Sequence, residues 1–450
     1  IQSGTSSSSR FSNRRHRQTR PRMARSETGY VDLVRGNVNF RRLWLGNVVS
    51  LFGDWFNTIA LYSLVLSLSG SEFALGAVFI TKMLPMALAS PIAGLIVDRL
   101  DRRKVMIASD LLRAAIVLCF LFIDEPGKVY WVYVITAAQV TVASVFQPAQ
   151  SSSIPNLVSR NELVTANTIL SATWSILLTV GAAVGGMAAD VLGLKAVFVI
   201  DSLTYLVSAW FIYRTTIPQH TTSMDFHSAS GEKPSPVHLV QRATADVVAG
   251  WRRMRERPEV GRMALAKATW GLAGGGLVYM LTLMGEEISP ERQAMAIGLL
   301  FAARGFGTGL GPVMARAWFR NMTSWPALMG FCMVFSGLAY AVAGNLTFTF
   351  WVILPVVLAH TTSGANWVLS TVLLQERSED RFRGRIFATE WLLFFLVDAA
   401  SILVASLVLE FSGLSLSLVV MGFATVQVLS GVWWLFWAVP AEKFGEVART

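Results

Sequence analysis

Residues 94–104 read Gly94-Leu-Ile-Val-Asp98-Arg99-Leu-Asp101-Arg102-Arg103-Lys104, and this charged stretch stands between two apolar blocks, 73–97 and 105–123. Each block is close to the roughly twenty residues that a helix needs to cross a bilayer core. Working outward, the same alternation continues. Apolar runs fall at 43–68, 73–97, 105–123, 129–147, 168–190, 194–213, 261–284, 294–315, 326–344, 347–372, 386–409 and 414–438. They predict an all-α polytopic membrane protein with twelve transmembrane helices. The fifth and sixth runs are separated only by Leu192-Gly193-Leu194. Composition agrees: 53% of residues are hydrophobic, 15% are charged and the mean hydropathy is +0.51. Soluble chains carry about a quarter charged residues.

The net charge of +10 is placed by topology rather than on one face, which argues against nucleic-acid binding. With the N-terminus cytoplasmic, 31 of the 38 Lys and Arg fall in the tails and even-numbered loops, counting Arg262 at the edge of its span, and 3 in the odd-numbered loops, counting Lys195 at the edge of its span. Positive charge marks the cytoplasmic side, so both termini are expected there, in the inner or plasma membrane. The remaining four, Lys82, Arg113, Lys267 and Arg304, lie within spans. Cys119 and Cys332 sit in apolar blocks and suggest no disulfide framework. Residues 1–22 are Ser- and Arg-rich without an apolar core; they read as a disordered tail or as sequence upstream of a start at Met23, with a transit peptide as the other reading.

The expected organisation is a disordered tail (1–42), a first bundle (43–213), a linker (214–260), a second bundle (261–438) and a C-terminal tail (439–450). In the linker, a polar run from His220 to Pro234 precedes Ser235-Pro236, a plausible helix start. Val240, Ala243, Val247, Trp251 and Met254 then recur at helical spacing among arginines. That predicts an amphipathic helix, either a plain linker or a brace between the halves. The halves repeat: Gly94-x-x-x-Asp98-Arg99-x-x-x-Arg103 returns as Gly311-x-x-x-Ala315-Arg316-x-x-x-Arg320, 217 residues on. Two pseudo-symmetric six-helix bundles with a site between them suit alternating access.

With twelve spans and this orientation on the page, the Gly94–Lys104 stretch resembles the signature loop of the major facilitator superfamily, with Asp101 where a Gly is usual. The resemblance implies the major facilitator fold. It also implies that Gly94, Asp98, Arg99, Arg102, Arg103 and Lys104 form a gating loop that latches the halves through the start of the eleventh span. The alternative is that the basic residues only set topology. Ser50-Leu-Phe-Gly53-Asp54-Trp55, Phe146-Gln-Pro148-Ala149, Ile154-Pro155, Glu162-Leu163-x-x-Ala166-Asn167, Gln375-Glu-Arg377 and Arg383-Gly384-Arg385-Ile386 resemble the bacterial efflux branch that includes macrolide-efflux and enterobactin-export proteins. The similarity runs from Val38 to Trp437. Gly181-x-x-x-Gly185-Gly186 lacks the proline of the antiporter motif, and helix packing alone accounts for it and for Gly305, Gly307, Gly309 and Gly311.

Ionisable groups at bilayer depth are costly, so each is a functional candidate. At 1.5 Å per residue, Asp54 lies about 17 Å from its span's cytoplasmic end, Arg113 about 13 Å and Lys82 about 22 Å. Either Asp54 carries the coupling proton, tuned by Arg113 or Lys82, or the three form a permanent ion pair. Arg304 and Asp398, both about 18 Å deep, are expected to pair structurally. Lys267 and Asp201 lie nearer span ends, where they could snorkel. Glu390 stands near Arg383 and Arg385 and is expected to join the latch. The resemblance implies a cavity lined by the first, fourth, seventh and tenth spans, with Trp55, Gln139, Phe146, Trp270, Tyr279, Asn366 and Trp367 as candidates.

No His-Glu-x-x-His, nucleophile elbow or Walker loop is present, so no enzyme, metal or cofactor is expected and a gradient or a partner must supply the energy. The sequence reading is a monomeric secondary transporter that exports an amphipathic small molecule (drug, macrolide or siderophore-like) with protons as coupling ion. An importer of another solute and a non-transporting receptor are the alternatives.

Overall fold

A computed structural model describes residues 29–218, 236–319, 321–347 and 349–447. Met23, the leader, the His220–Pro234 run and Ser235 lie outside the described residues, as do the side chains of Gly94 and Asp98. Among the described residues the chain is helical, without a strand.

A short α1 (Tyr30–Gly36) leads into α2 (Val38–Ser69), whose N-cap is Asn37: its side chain accepts from the Phe40 N–H. Then follow α3 (Glu72–Arg99), α4 (Arg102–Leu118), α5 (Val129–Ala143), α6 (Phe146–Leu157), α7 (Leu163–Leu192) and α8 (Leu194–Tyr213). The expected fourth span is two helices in the structure. Pro148 cannot donate a backbone hydrogen bond to the preceding turn, so the helix restarts at Phe146 and continues well into the predicted loop. Between α7 and α8, Gly193 adopts φ +85°, which lets two long helices meet with one residue between them.

The linker helix is α9 (Pro236–Glu256). The second half comprises α10 (Pro258–Ile288), α11 (Gln293–Trp318), α12 (Trp325–Gly344), α13 (Ile353–Arg377), α14 (Asp380–Ser412) and α15 (Leu416–Val447). Residues 30–42 and 439–447, expected as tails, are therefore largely helical. Eleven helices among the described residues are long and apolar enough to cross a membrane. The twelfth position belongs to α10, whose Gly271 and Gly274–Gly276 dilute its hydropathy while its length and near-complete burial keep it within the bundle.

The packing repeats between halves. In the first, α2 packs on α7 and α8, α4 on α8, and α3 on α5; in the second, α10 packs on α14 and α15, α12 on α15, and α11 on α13. Two seams join the halves, α7 with α11 and α3 with α14. Lipid tails are as apolar as leucine, so helices associate through close contact at small residues. A Cβ on Gly186 would stand 2.3 Å from the Ala294 carbonyl oxygen, and one on Gly298 would stand 2.4 Å from that of Ala182.

Inter-half hydrogen bonds sit on the face opposite the chain termini. Glu410 at the end of α14 accepts from Ser71 Oγ at 2.8 Å and from the Phe73 N–H at 3.0 Å, capping α3. Asp190 at the end of α7 accepts from the Met295 N–H at 2.9 Å in the first turn of α11. Each half thus supplies a carboxylate to a helix N-terminus of the other, where the helix dipole favours negative charge. Tyr279 on α10 donates to the Glu72 carbonyl at 2.7 Å on the same face.

Candidate functional site

In the first half, polar side chains from α2, α4, α5 and α8 converge. Asp54 on α2 accepts a short hydrogen bond from Tyr205 on α8, and Gln139 on α5 donates to that phenol at 3.1 Å. The Arg113 guanidinium lies 3.8 Å from Asp54 Oδ2 and pairs closely with Asp110 one turn earlier on α4. It also stacks over the rings of Tyr205 (4.3 Å) and Phe146 (4.9 Å). A third carboxylate, Asp201, accepts from Asn57 Nδ2 at 2.8 Å. Asp110 and Asp201 are fully buried, whereas Asp54 is 36% exposed. Asp54 is therefore the cluster member that meets solvent.

The structure joins Asp54 with Arg113 and brings Gln139 and Phe146 to the same cluster. Lys82 forms no direct ion pair with Asp54 among the described residues: it donates to Thr58 Oγ1 at 2.6 Å, that hydroxyl donates to the Asp54 backbone carbonyl, and the ammonium stands 5.6 Å over Tyr62, within electrostatic reach of Asp54 and Asp201. The snorkelling expected of Asp201 is corrected, because it is 0% exposed and held by Asn57. Asp110 was not among the expected residues; its i,i+3 spacing to Arg113 was a readable sign that the two pair. Trp55 stands edge-on to Trp174 at 6.5 Å, on the α2–α7 contact.

The second half holds a different group. On α10, Lys267 is 2% exposed and places its ammonium 2.9 Å from Glu390 of α14. The same ammonium stands 4.5 Å over Trp367 of α13 and 5.5 Å over Trp391 of α14. Trp367, Trp391 and Phe394 meet at right-angled ring contacts, with Trp270 stacked on Phe394. Trp270 donates to Ser363 at 3.0 Å. Asn366 is buried with its carbonyl oxygen unpartnered.

Four sequence expectations change here. Lys267 does not snorkel, because Glu390 holds it inside. Glu390 turns to Lys267 rather than to Arg383 and Arg385; Arg385 instead pairs with Asp246 of α9 at 2.8 Å. Arg304 and Asp398 form no ion pair among the described residues: Arg304 lies against Phe301 at 5.7 Å, and Asp398 Oδ1 is buried without a partner. Tyr279 is fully buried in the inter-half contact, so it lines no open wall.

At the 94–104 loop, Asp101 caps α4 by accepting from the Lys104 N–H at 3.1 Å. That is what an Asp contributes where a Gly is usual. Arg102 donates to the Ser152 carbonyl at 2.6 Å, and Arg103 donates to the carbonyls of Ile212 and Tyr213. These partners belong to the first half. Arg99 is exposed at the end of α3. In the second half, α9 is seated on α14: Thr389 donates to the Val247 carbonyl at 3.1 Å, and Arg253 and Arg257 both pair with Glu379.

Across residues 43–397, the sequence matches the profile of the Major Facilitator Superfamily. The chain belongs to the major facilitator superfamily. It is therefore a multi-pass membrane protein. The putative bacilysin exporter BacE of Bacillus amyloliquefaciens is 26% identical over 396 residues, 84% of this chain and 93% of that protein. Macrolide efflux protein A of Streptococcus pyogenes is 27% identical over 187 residues, 40% of this chain and 45% of that one. The uncharacterized MFS-type transporter YfiS of Bacillus subtilis (strain 168) is 25% identical over 182 residues, 40% of this chain. The chain spans 43% of the length of YfiS. Among solved structures, a bacterial homolog of the human lysosomal transporter Spinster, inward-facing and unoccupied, superposes with a TM-score of 0.62. That match has 17% identity and covers 92% of this chain and 96% of the other.

Proposed function

We propose that this transporter is a secondary exporter of amphipathic small molecules, driven by protons taken up at Asp54. The carrying observation is the asymmetry of the first-half cluster. Two carboxylates, one arginine and one phenol are buried, and the single partly exposed acid is bonded to both Arg113 and Tyr205. A carboxylate that exchanges a proton while its cationic partner stays in place can report protonation to the surrounding helices. Protonated, Asp54 releases Arg113 to Asp110; ionised, it shares the guanidinium. The relatives described as exporters support the outward direction.

Both termini are assigned to the cytoplasm, in the cell membrane, from the Lys and Arg distribution. The hydrogen bonds on the opposite face then make this state inward-facing. In the outward-facing state, the 94–104 loop closes on the start of α14. Arg102 and Arg103 now hold backbone carbonyls of their own half, contacts that can be exchanged for others at small cost. Residues 43–213 and 261–438 move as the two bodies, with α9 as a brace fixed to the second, in a monomer.

Inverted vesicles carrying the full chain test this reading. An imposed proton gradient is expected to drive accumulation of an amphipathic drug from a compound panel. Asp54→Asn is expected to lose gradient-driven accumulation while retaining substrate exchange across the same membrane. Gradient-driven accumulation that survives in Asp54→Asn at the wild-type rate refutes coupling at this residue. Accumulation only in right-side-out vesicles reverses the direction.

A further inference from the structure

The second-half group already contains a bound cation, supplied by the protein itself. The Lys267 ammonium sits beside one carboxylate and over two indole rings, the surroundings that recognise organic ammonium ions. Its carboxylate is poorly satisfied: Glu390 is 1% exposed, and neither oxygen makes a well-directed hydrogen bond. Buried carboxylates ordinarily gather several donors. The Lys267 ammonium is the cation that faces this carboxylate among the described residues, so another cation can take its place.

The residues recur at short helical spacing. Lys267 and Trp270 lie one turn apart on α10, Ser363 and Trp367 one turn apart on α13, and Glu390, Trp391 and Phe394 within one turn of α14. Trp391 is the outermost ring at 40% exposure, so the group has an accessible side.

We propose that Glu390, Trp367, Trp391 and Phe394 form a substrate subsite for the charged group of an amphipathic organic cation, with Lys267 as the internal competitor that the substrate displaces. An anionic substrate would have to pair with Lys267 and leave Glu390 buried without a partner, a strongly unfavourable change. A cation instead replaces one positive charge with another, and the freed lysine has a long stem with which to reach water. This names the substrate class of the proposed exporter and rests on that reading for its role in export. The binding itself does not depend on it.

Equilibrium binding to the purified full-length protein gives the test, with tetraphenylphosphonium as probe and tetraphenylborate as the anion of matching shape. Tetraphenylphosphonium is expected to bind and to quench tryptophan fluorescence, and tetraphenylborate is expected not to compete. Glu390→Gln should weaken tetraphenylphosphonium at least tenfold, and Trp391→Leu several-fold. Lys267→Met should tighten it several-fold, because the internal competitor is gone. A purely structural ion pair predicts the reverse for Lys267→Met, and equal weakening in the Lys267 and Glu390 variants overturns the proposal. So does competition by tetraphenylborate in the wild-type protein, a result that needs no variant to fold. Lys267→Gln, checked by size exclusion and thermal melting, replaces Lys267→Met if the latter is not monodisperse. Absent tetraphenylphosphonium binding alongside intact gradient-driven flux sinks the subsite alone. Binding with no gradient-driven flux by any compound sinks the exporter reading alone.

Discussion

At the scale of single residues, the first-half cluster is an electrostatic balance around Arg113. This one guanidinium serves Asp54 and Asp110 and stacks on two rings, so it cannot be replaced by another cation without loss. Arg113→Met leaves Asp110 buried without its cation. The expected cost is about 3–5 kcal/mol, read as a large fall in melting temperature of the detergent-solubilised protein. Arg113→Lys is expected to recover part of that stability but little transport, because an ammonium cannot hold both carboxylates in one plane. A melting curve unchanged in Arg113→Met would show that the cluster is solvated and that the buried pair is unimportant. Little of this was legible in the sequence. Depth along a helix follows from counting, which is why Asp54 and Arg113 were expected together. The azimuth of a side chain does not follow from counting, which is why Lys82 meets Asp54 through Thr58 rather than directly and why Asp201 entered the cluster.

At the scale of helices, the α7–α11 seam depends on residues that have no side chain. Gly186 and Gly298 face each other, and the backbone of each lies against the other helix at a distance no Cβ could share. Gly186→Val must push α11 away. The expected loss is about 1–3 kcal/mol of stability, with transport falling at least tenfold. Parallel melting and flux measurements check it, and wild-type values in both would mean the seam is loose. The glycine spacing was readable as packing, although which helix it packed against was not. Periodicity reports that a face is small; it does not name the partner.

For the whole molecule, the reciprocal caps at Glu410 and Asp190 hold the face opposite the termini closed. Both carboxylates act across the inter-half boundary and must separate for that face to open. Each cap contributes about 0.3–1 kcal/mol through the helix dipole. The double substitution Glu410→Gln with Asp190→Asn is therefore expected to shift the equilibrium several-fold toward the state open on that face. Cysteines placed nearby, labelled by a membrane-impermeant maleimide, should react correspondingly faster. Unchanged labelling would mean that apolar contacts alone close this face.

The chain's order of apolar and basic segments determined by itself that this is a helical membrane protein built from two similar halves. A span must satisfy its backbone within itself and must be about as long as the bilayer is thick, so spans are readable one at a time. The loop at 94–104 and the 217-residue repeat added the family. Tertiary structure alone decided which charged and polar groups meet: Lys267 with Glu390, Asp201 with Asn57, and Arg304 with the Phe301 ring rather than in a close pair with Asp398. Ion pairs within a bilayer form between helices distant in sequence. Their partners depend on rotation and crossing of each helix, and those are fixed only when all the helices pack together.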